Sequence, residues 1–548
     1  MEHDPMRALS RWLLVFLAFL LPACQIFPPA WTDVKSEVWH QDAVFYQIFV
    51  RSFYDSNGDG IGDFNGITAK LDYLNDGNPK TTTDLGVTGI WLMPIFPSPS
   101  YHGYDVTDYQ AVNPQYGTLD DFKNLLAEAH RRGIKIIIDF VANHTSSRHP
   151  WFEASASGDP QYRDWYIWST DNPGYQGPWG QAVWHGSGNG FYYGVFDAKM
   201  PDLNYQNPAV TQAIYAAADF WLNEVGVDGF RMDGAKHILE EGQTQENTPA
   251  TLAWLKDFTA HVHQQKADAV VVGEVWSGLD AIAPYLNEGA LDLAFNFPLA
   301  DNLVKSASSS SSFQTAAGLS ASQRAFQPGK TYATFLTNHD MPRVMTQLGE
   351  DPLKARAAAA LLLTAPGVPF IYYGEEIGMR GPKPDEKIRR PMQWSAADNA
   401  GFSTARPWWL PDENYPQVNV EAMNQDPQSL LNHYRALLAI RNQHYALRTG
   451  QYIEVSSGNS AVFAALRAAE KETILVLVNL GNQPVAGQDL TLSWNSSPLR
   501  GSPKSTVLMG PAGGKISPLT VDEKGGSKEY RPVAELAPGE TWIVQLRP

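Results

Sequence analysis

Near-continuous apolar runs recur through most of the chain and are separated by stretches with helical periodicity. Runs without alternation of apolar and polar residues are typical of parallel strands that helices cover on both faces. Helix-like stretches at 120–132, 210–225, 249–265 and 352–364 lie between such runs. Eight strand–helix units predict an α/β fold of the (β/α)8 TIM-barrel type, with its active site at the carboxyl ends of the strands. The eight predicted strands are 43–50, 86–94, 134–141, 228–233, 269–274, 291–297, 331–338 and 368–373.

One connection is much longer than the others. Residues 144–205 are rich in Trp, Tyr, Gly and Pro and lack helical periodicity. Loops of this length usually carry function. We therefore predict an irregular domain, 144–205, that is inserted after the third strand and forms one wall of a cleft. The barrel itself then comprises 38–143 and 206–447.

The pattern changes near the C-terminus. Short alternating runs at 461–466, 473–479 and 541–546 are separated by glycine-rich turn clusters. Alternating runs with turns between them are typical of antiparallel strands that bury one face. The sequence thus predicts a C-terminal antiparallel β-sandwich domain at 448–548. A serine-rich stretch, 306–312, is interpreted as a surface segment of low complexity.

The N-terminus has the features of an export signal. Arg7 and Arg11 precede an apolar run, 12–21. This run is too short for a membrane-spanning helix, which needs about 20 residues. We interpret it as the core of a signal peptide, 1–24, followed by a polar tether, 25–37. No transmembrane helix is expected in the mature chain.

The only cysteine in the chain is Cys24, at the end of a Leu-Pro-Ala-Cys sequence that resembles a bacterial lipoprotein cleavage box. We therefore predict an extracytoplasmic lipoprotein that a lipid on Cys24 anchors to a bacterial membrane, at the cell surface or in the periplasm. Plain secretion with cleavage nearby is the alternative, and Met6 is an alternative start. With one cysteine, no intrachain disulfide can form.

Composition narrows the range of partners. The 548 residues carry a net charge of -17, which argues against nucleic acid, because nucleic acid binds basic faces. With 43% hydrophobic residues and no charge-rich tail, the chain is typical of ordered globular proteins. The negative net charge is compatible with a neutral, polyhydroxylated substrate and fits an acidic substrate less well. The 17 Trp include candidate aromatic faces on which sugars pack, although most Trp are expected in the core.

Oxygen-bearing side chains alternate with other residues in the loop 55–63. Such spacing, with glycines that let the loop curl and a backbone carbonyl at the seventh position, is how a loop surrounds a hard cation. The loop is not an EF-hand, because its twelfth position is Gly66 rather than Glu. We predict a structural Ca²⁺ site, with Mg²⁺ as a second option; an Asx-rich turn without metal is the alternative. The predicted ligands are Asp55, Asn57, Asp59, Ile61 and Asp63.

Carboxylates and histidines follow four of the predicted strands, at 139–144, 231–233, 274–276 and 338–340. Because the carboxyl ends of barrel strands meet at one rim, we expect these groups to lie together. Placing several carboxylates and histidines close together costs free energy, so such a cluster is typical of a catalytic site. The sequence therefore predicts a catalytic centre at this rim.

Two of the carboxylates have neighbours that suit opposite roles. Arg231 lies two residues before Asp233 and favours the ionised form that a nucleophile needs. The alternative is that Arg231 and Asp233 form an ion pair with a structural role only, at the end of a strand. Glu274 follows an apolar run, 269–272, so burial is expected to raise its pKa, as a general acid requires.

With these four motifs in this order, the sequence resembles the α-amylase family of glycoside hydrolases, from about residue 38 to the C-terminus. A fifth family motif stands at 200–204. The resemblance implies a retaining enzyme in which Asp233 is the nucleophile, Glu274 the general acid/base and Asp340 the carboxylate that holds and distorts the sugar. It also implies seven substrate-binding residues, with Tyr104 as a stacking platform: Tyr104, His102, His144, Arg231, Lys236, His237 and His339.

Local features look like two branches of the family. His102 and the pair Lys236-His237 are similar to α-amylases, whereas exo-acting relatives of the oligo-1,6-glucosidase type place an Asp where His102 stands. The metal loop and the stretches 200–204, 389–394 and 399–403 look like the oligo-1,6-glucosidase branch. The combination resembles bacterial lipoprotein α-amylases that are intermediate between the oligo-1,6-glucosidase and neopullulanase groups.

The resemblance favours endo-hydrolysis of α-1,4-glucosidic bonds in starch, glycogen and maltooligosaccharides. The alternatives are an exo-acting α-glucosidase or oligo-1,6-glucosidase, and a cyclomaltodextrinase or 4-α-glucanotransferase. The alternative that is not an enzyme is a surface protein without catalytic activity that binds a glucan or a protein partner. A second calcium site of the family would use Asn143, an Asp of the insert that the sequence does not single out, and the carbonyl of His237.

Overall fold

The computed structural model describes residues 38–547. The predicted signal peptide and tether, with Cys24, lie outside the described residues, so export and lipid anchoring stay predictions. Within residues 38–547, none of the helices combines the length and the apolar character that crossing a bilayer requires.

Eight parallel strands form the barrel. Its first strand pairs with both the second and the eighth, since Phe45 lies opposite Gly89 and Phe370. A bridge between Phe295 and Ala333 links the sixth strand to the seventh and brings the two ends of the sheet together. All eight predicted strands are present and the (β/α)8 fold is confirmed. The strands are Phe45–Ile48, Gly89–Leu92, Lys135–Phe140, Gly229–Met232, Val270–Gly273, Leu293–Ala294, Ala333–Thr334 and Val368–Tyr372.

The observed strands are shorter than the apolar runs that predicted them. The run at 291–297 yields only Leu293–Ala294, because Asn296 caps the helix Phe297–Ser309 by accepting a hydrogen bond from the Leu299 N–H. A side-chain cap satisfies an N–H group that the first turn of a helix leaves without a partner, and so fixes where the helix begins.

Helices surround the barrel, and those predicted at 120–132, 249–265 and 352–364 are found within one residue of those bounds. The longer helices of the barrel region are Leu119–Arg131, Pro208–Asp219, Pro249–Gln265, Leu279–Asn287, Phe297–Ser309, Phe313–Ala325, Pro352–Thr364 and Leu430–Gln443. Shorter helices are Val50–Phe53, Phe64–Ala69, Leu71–Leu74, Val344–Gln347, Asp385–Ile388, Val420–Gln425 and Tyr445–Arg448.

Two helical segments differ from expectation. The predicted stretch 210–225 is an α-helix only to Asp219 and continues as one π-helical segment, Phe220–Val225. The interpretation of 306–312 as a surface segment was wrong at its start, because Ser306 and Ala307 are buried in the helix Phe297–Ser309. Serine composition alone does not show that one face of a helix packs on the barrel.

The insert has more regular structure than its sequence indicates. It contains the helix Pro150–Ser157 and a three-stranded antiparallel sheet formed by Trp168–Ser169, Gly190–Tyr193 and Trp184–Ser187. The two ends of the insert are joined where they leave the barrel. His144 forms a β-bridge with Asp202, and the Leu203 N–H donates to the carbonyl of Asn143 at 2.9 Å.

The C-terminal region is antiparallel, as predicted. A five-stranded sheet and two two-stranded sheets enclose their own apolar core. Arg467 is buried where this region meets the barrel, and it donates to the carbonyls of Thr364 and Gly450. The strands are Gln451–Glu454, Val462–Ala468, Thr473–Asn479, Val485–Ala486, Leu492–Trp494, Lys504–Met509, Ser527–Tyr530, Glu535–Leu536 and Thr541–Arg547.

Candidate active site

A cavity of about 380 Å³ opens at the carboxyl ends of the barrel strands, between the barrel and the insert. Eight of the ten predicted catalytic and substrate-binding residues line it, and the other two, Arg231 and His339, are fully buried beside them. The lining residues among those predicted are Asp233, Glu274, Asp340, His102, Tyr104, His144, Lys236 and His237.

Arg231 binds three carboxylates at once. Its Nη1 donates to Asp139 at 2.8 Å and to Asp233 at 2.6 Å, and its Nη2 lies 2.7 Å from Glu274. The guanidinium has no exposed surface, so these charge-assisted bonds form in a medium of low polarity. One cation therefore fixes the two predicted catalytic carboxylates relative to each other.

The turn after the fourth strand places Asp233 at the cavity. Gly234 has a left-handed backbone with φ of +50°, and an added Cβ would come within 2.8 Å of the Phe196 ring. A side chain at this position would therefore be strained and would clash with the insert. Arg231 binds Oδ1 of Asp233, which leaves Oδ2 without a bond to this cation.

Glu274 has the environment of a proton donor. Desolvation by burial raises its pKa to about 7, against the opposing charge of Arg231. Arg231 and the Gly234 N–H both bind Oε2, at 2.7 and 3.1 Å, which leaves Oε1 to carry the proton. The expectation that burial raises this pKa is confirmed.

Asp340 is held as an anion. Burial alone raises the pKa of a carboxyl group, but neighbouring charge lowers the pKa of Asp340 below its usual value. Arg389 is the persistent cation here, because burial lowers the pKa of His339 to about 3 and leaves that imidazole neutral. Arg389 Nη2 donates to Oδ1 of Asp340 at 2.8 Å, and His339 Nε2 lies 3.1 Å from Oδ2.

Tyr104 forms the floor of the cavity beside these carboxylates. Its ring stacks on His339 with 5.5 Å between centroids and 13° between planes. Its hydroxyl donates to Asp139 at 3.1 Å and lies 2.6 Å from His339 Nε2. His144 Nε2 donates to the Tyr104 carbonyl at 3.2 Å. These bonds fix the ring that the family resemblance assigns as a stacking platform.

Lys236 and His237 lie on a short 3-10 helix, Ala235–His237, directly after Asp233 and Gly234. Lys236 Nζ binds Glu246 at 2.6 Å and the Trp276 carbonyl at 3.0 Å. His237 Nδ1 lies 2.8 Å from the Gln245 carbonyl, and burial lowers its pKa to about 4. Both side chains line the cavity.

Several lining residues had been given no role from the sequence. They come from the insert and from loops whose positions depend on tertiary packing rather than on strand periodicity. Trp276, Gly234 and Tyr101 had a local signal, because each lies within two residues of a predicted site residue, and Met200 and Arg389 begin stretches that resemble the family. The added lining residues are Tyr101, Trp179, Phe196, Met200, Gly234, Trp276, Asp385 and Arg389.

Comparison with known proteins agrees with this geometry. A family model described as the catalytic domain of α-amylase matches residues 47–450, which is most of the chain. The chain belongs to the α-amylase family of glycoside hydrolases. The (β/α)8 barrel, the carboxylates at its rim and the C-terminal antiparallel sheets are thereby those of a member of this family.

Relatives within the α-amylase family carry different activity names. The chain is 41% identical over 490 residues to alpha-amylase 3 of Dictyoglomus thermophilum, covering 87% of this chain and 93% of that one. It is 34% identical over 524 residues to an oligo-1,6-glucosidase of Parageobacillus thermoglucosidasius, covering 81% and 91%. The crystal structure of an α-amylase from H. orenii aligns with a TM-score of 0.81 at 42% identity, covering 92% of this chain and 99% of that one.

The loop 55–63 offers oxygen ligands of the kind that calcium prefers. Asp55 and Asp63 are buried, and neither forms an ion pair with Lys or Arg among the described residues. Gly60 has φ of +91°, and an added Cβ would lie 2.2 Å from the Arg406 carbonyl, so the loop packs tightly. The donor set of three carboxylates, one amide and one carbonyl fits a hard cation in chemistry. In residues 38–547, no three Asp, Glu, His or Cys side chains already converge as a metal group.

Asp202 is a candidate for the Asp that the second expected calcium site requires. Asp202 is 1% exposed, as is Asn143, and the Asp202 Oδ2 and the Asn143 Oδ1 have no hydrogen-bond partner among the described residues. Glu240 Oε1 is likewise buried without a partner, and its carboxyl interacts electrostatically with Asp202. Buried acceptor oxygens without donors cost free energy, and a cation would satisfy them. These residues fit the family's calcium.

We expect calcium to stabilise the protein. Adding CaCl₂ to protein treated with a chelator should raise Tm by at least about 3 °C at saturating concentration, because a ligand that binds only the folded state adds its binding free energy to stability. Asp59→Asn and Asp202→Asn should each remove one equivalent of bound calcium in a titration followed by calorimetry. Asp257→Asn, on the exposed face of a helix, is the control. Wild-type protein that binds no calcium contradicts both sites.

Proposed function

We propose that the protein is an α-amylase that cleaves internal α-1,4-glucosidic bonds in starch, glycogen and maltooligosaccharides with retention of configuration. The observation that carries the proposal is His102 in the cavity wall. The pKa of this imidazole is lowered by burial, so it is neutral where exo-acting relatives place a carboxylate. A neutral imidazole does not bind the terminal sugar of a glucan as a carboxylate would. The glucan can therefore continue past this position with further sugars.

The nearby cation supports the same conclusion. Arg389 reaches the cavity but already binds two carboxylates, Asp340 at 2.8 Å and Asp385 at 3.0 Å. It therefore has no need of a further acidic partner at position 102. The 41% and 42% identities to two proteins named α-amylase, each over most of the chain, agree with this assignment.

The proposed reaction has two steps. In the first, Oδ2 of Asp233 attacks the anomeric carbon, the bond to the glycosidic oxygen breaks, and Glu274 gives that oxygen its proton. This yields a glucosyl ester on Asp233 and a free glucan. In the second, Glu274 takes a proton from water, which attacks the same carbon and releases Asp233. Two inversions retain the configuration.

The surrounding residues supply charge and position. Arg231 keeps Asp233 oriented and stabilises its negative charge when the ester breaks. Asp340, with both oxygens fixed by Arg389 and His339, offers acceptors to hydroxyl groups of the sugar as positive charge develops at the anomeric carbon. Tyr104 provides the apolar face beneath that sugar.

An exo-acting glucosidase is the second candidate. The loop 55–63 and the stretch 389–394 favour it, and a relative at 34% identity bears the name oligo-1,6-glucosidase. The neutral His102 in the cavity wall supports the endo-acting assignment, because only an exo-acting enzyme must bind the terminal sugar of a chain.

A blocked substrate tests the proposal. A maltoheptaoside with a sealed non-reducing end and a chromophore at the other end should release colour in the presence of a coupling glucosidase, because only internal cleavage opens it. Asp233→Asn is the inactive control. If unblocked chains yield glucose or maltose while the blocked chain stays intact, the enzyme is exo-acting and the proposal is wrong.

A further inference from the structure

A buried amide lies in the wall of the barrel. Gln47 belongs to the first strand, Phe45–Ile48, and is 2% exposed. Successive side chains of a strand point to opposite faces, so Gln47 points to the same side as Phe45, which packs in a cluster formed by residues of the other barrel strands. A buried amide costs free energy unless it forms hydrogen bonds. The partner of this amide therefore bears on why a glutamine stands here.

The amide contacts the histidine that follows the seventh strand. Gln47 Nε2 lies 2.8 Å from Nδ1 of His339, although the two residues are 292 positions apart in the chain. The ring of His339 is held in place, because it stacks on Tyr104 and meets Trp91 edge-on, with 5.7 Å between the centroids of His339 and Trp91. Arg389 Nε donates to the His339 carbonyl at 3.0 Å, which fixes the backbone. The amide and the imidazole thus form a fixed pair.

The other nitrogen of His339 faces the catalytic carboxylates. Nε2 lies 3.1 Å from Oδ2 of Asp340 and 2.6 Å from the hydroxyl oxygen of Tyr104. Because burial lowers the pKa of His339 to about 3, the imidazole is neutral and carries one proton, on Nδ1 or on Nε2. A proton on Nε2 is donated to Asp340, whereas a lone pair on Nε2 would face the carboxylate and repel it.

We propose that Gln47 is a positioning residue that holds the proton of His339 on Nε2 and thereby fixes Oδ2 of Asp340 for the reaction. An amide N–H that donates to Nδ1 requires a lone pair on that nitrogen, so the single proton lies on Nε2. The hydroxyl of Tyr104 agrees with this direction, because it donates to Asp139 and offers its oxygen to the same proton.

The inference rests on the proposed function only in that Asp340 takes part in cleavage. It is independent of whether the enzyme cuts internal bonds or releases terminal sugars. The alternative is that Gln47 merely fills the barrel wall as a satisfied amide. Its loss would then lower stability without changing where the proton of His339 lies.

Neutron diffraction from deuterated crystals of the wild-type enzyme locates this proton directly. We expect nuclear density for deuterium on Nε2 of His339 and none on Nδ1, with the deuterated amide nitrogen of Gln47 facing Nδ1. The measurement needs no variant, so it decides the question even where a substitution hinders folding.

Replacing the amide by an apolar side chain of similar shape tests its effect on catalysis. Gln47→Met should lower kcat on maltoheptaose about tenfold, the order of one buried hydrogen bond, with KM within about twofold of wild type. The loss stays moderate because Asp340 itself favours a proton on Nε2. The ratio of variant to wild-type kcat should be the same at every pH, since the new side chain does not titrate.

Gln545→Met is the matched control. Gln545 is likewise a buried glutamine in a strand, 4% exposed, and its amide donates to Glu472 and lies 3.4 Å from Nδ1 of His444. It belongs to the C-terminal sheet and does not line the cavity. Its loss should lower Tm about as much as Gln47→Met does and leave kcat unchanged. The pair separates loss of a buried amide from loss of the proton position.

A carboxylate at position 47 should add a pH dependence of known sign. In Gln47→Glu, the introduced carboxylate and Asp340 compete for the single proton of a neutral His339. One more proton, on the carboxyl group or on the imidazole, restores the N–H on Nε2. The ratio of variant to wild-type kcat should therefore rise as pH falls, from about 10⁻² near pH 8 to about 10⁻¹ or more near pH 5.

The ratio isolates the new group from the rest of the site. The other charged or titratable groups that face His339 are the same in both proteins, so their titration cancels: Asp340, Arg231, Arg389, Lys383 and Tyr104. The decline that Glu274 causes as pH rises cancels in the same way.

Three results overturn the inference: deuterium on Nδ1 of His339, alone or together with Nε2; a Gln47→Glu ratio that does not change with pH; or a Gln47→Met enzyme with the kcat of wild type. Wild-type enzyme that leaves maltoheptaose uncut contradicts the proposed function instead, and neutron diffraction then still tests the position of the proton.

Discussion

Asp233→Asn is expected to lower kcat/KM on maltoheptaose by at least about 10⁴-fold, because no glucosyl ester can form without the carboxylate. The amide keeps the shape of the side chain but is neutral and a poor nucleophile. The bond from Arg231 to Oδ1 can persist with an amide oxygen, so the loss reports chemistry rather than collapse of the turn. Initial rates of reducing-sugar release measure it.

Two controls support that interpretation. Asp257→Asn makes the same chemical change on an exposed helix face and should leave kcat/KM within twofold of wild type. The Tm of the Asp233→Asn protein should stay within a few degrees of wild type. Residual activity above about 1% would show that another group serves as the nucleophile.

Glu274→Gln should lower kcat/KM on maltoheptaose by about 10²- to 10⁴-fold, the range that general acid catalysis contributes. With α-maltosyl fluoride, the leaving group needs no proton, so the ester should form and then accumulate because no base activates water. We expect a burst of about one fluoride per enzyme, followed by a slow phase. Mass spectrometry should show the maltosyl ester on Asp233.

The pH profile of wild-type enzyme should carry the signature of the same residue. Glu274 acts as an acid only when protonated, and its pKa is raised to about 7. The value of kcat/KM on maltoheptaose should therefore be high below pH 7 and fall as pH rises through that range. In Glu274→Gln this alkaline decline should disappear. Glu288→Gln, at an exposed position, is the matched control, and a decline that survives in Glu274→Gln would assign it to another group.

Periodicity and motif position were enough to predict the barrel and its reactive rim. Parallel strands end at one edge, so groups that follow four strands must meet there, and eight of ten predicted residues do line one cavity. The lengths of the strands were not predictable in this way. A helix cap such as Asn296 ends a strand before its apolar run ends, because the helix begins within the run. The sequence does not show this boundary, since an apolar residue fits a strand and the first turn of a helix equally well.

Contacts between segments that are distant in the chain could not be predicted from the sequence. Arg389 had been placed in a family-like stretch without a role, yet it binds Asp340, 49 positions away in the chain. Trp179 lies in an insert whose placement on the barrel follows from no repeat or motif. Buried atoms without partners also need coordinates, and they single out Asp202 among the acidic residues of the insert.

The insert begins and ends at neighbouring points, where His144 pairs with Asp202 and Leu203 with Asn143. A segment anchored in this way can lengthen, shorten or be exchanged between these points without shifting the register of any barrel strand. The pairing of the barrel strands therefore does not depend on the length of the insert. Changes within the insert can therefore alter one wall of the cavity while the carboxylates at the strand ends keep their positions.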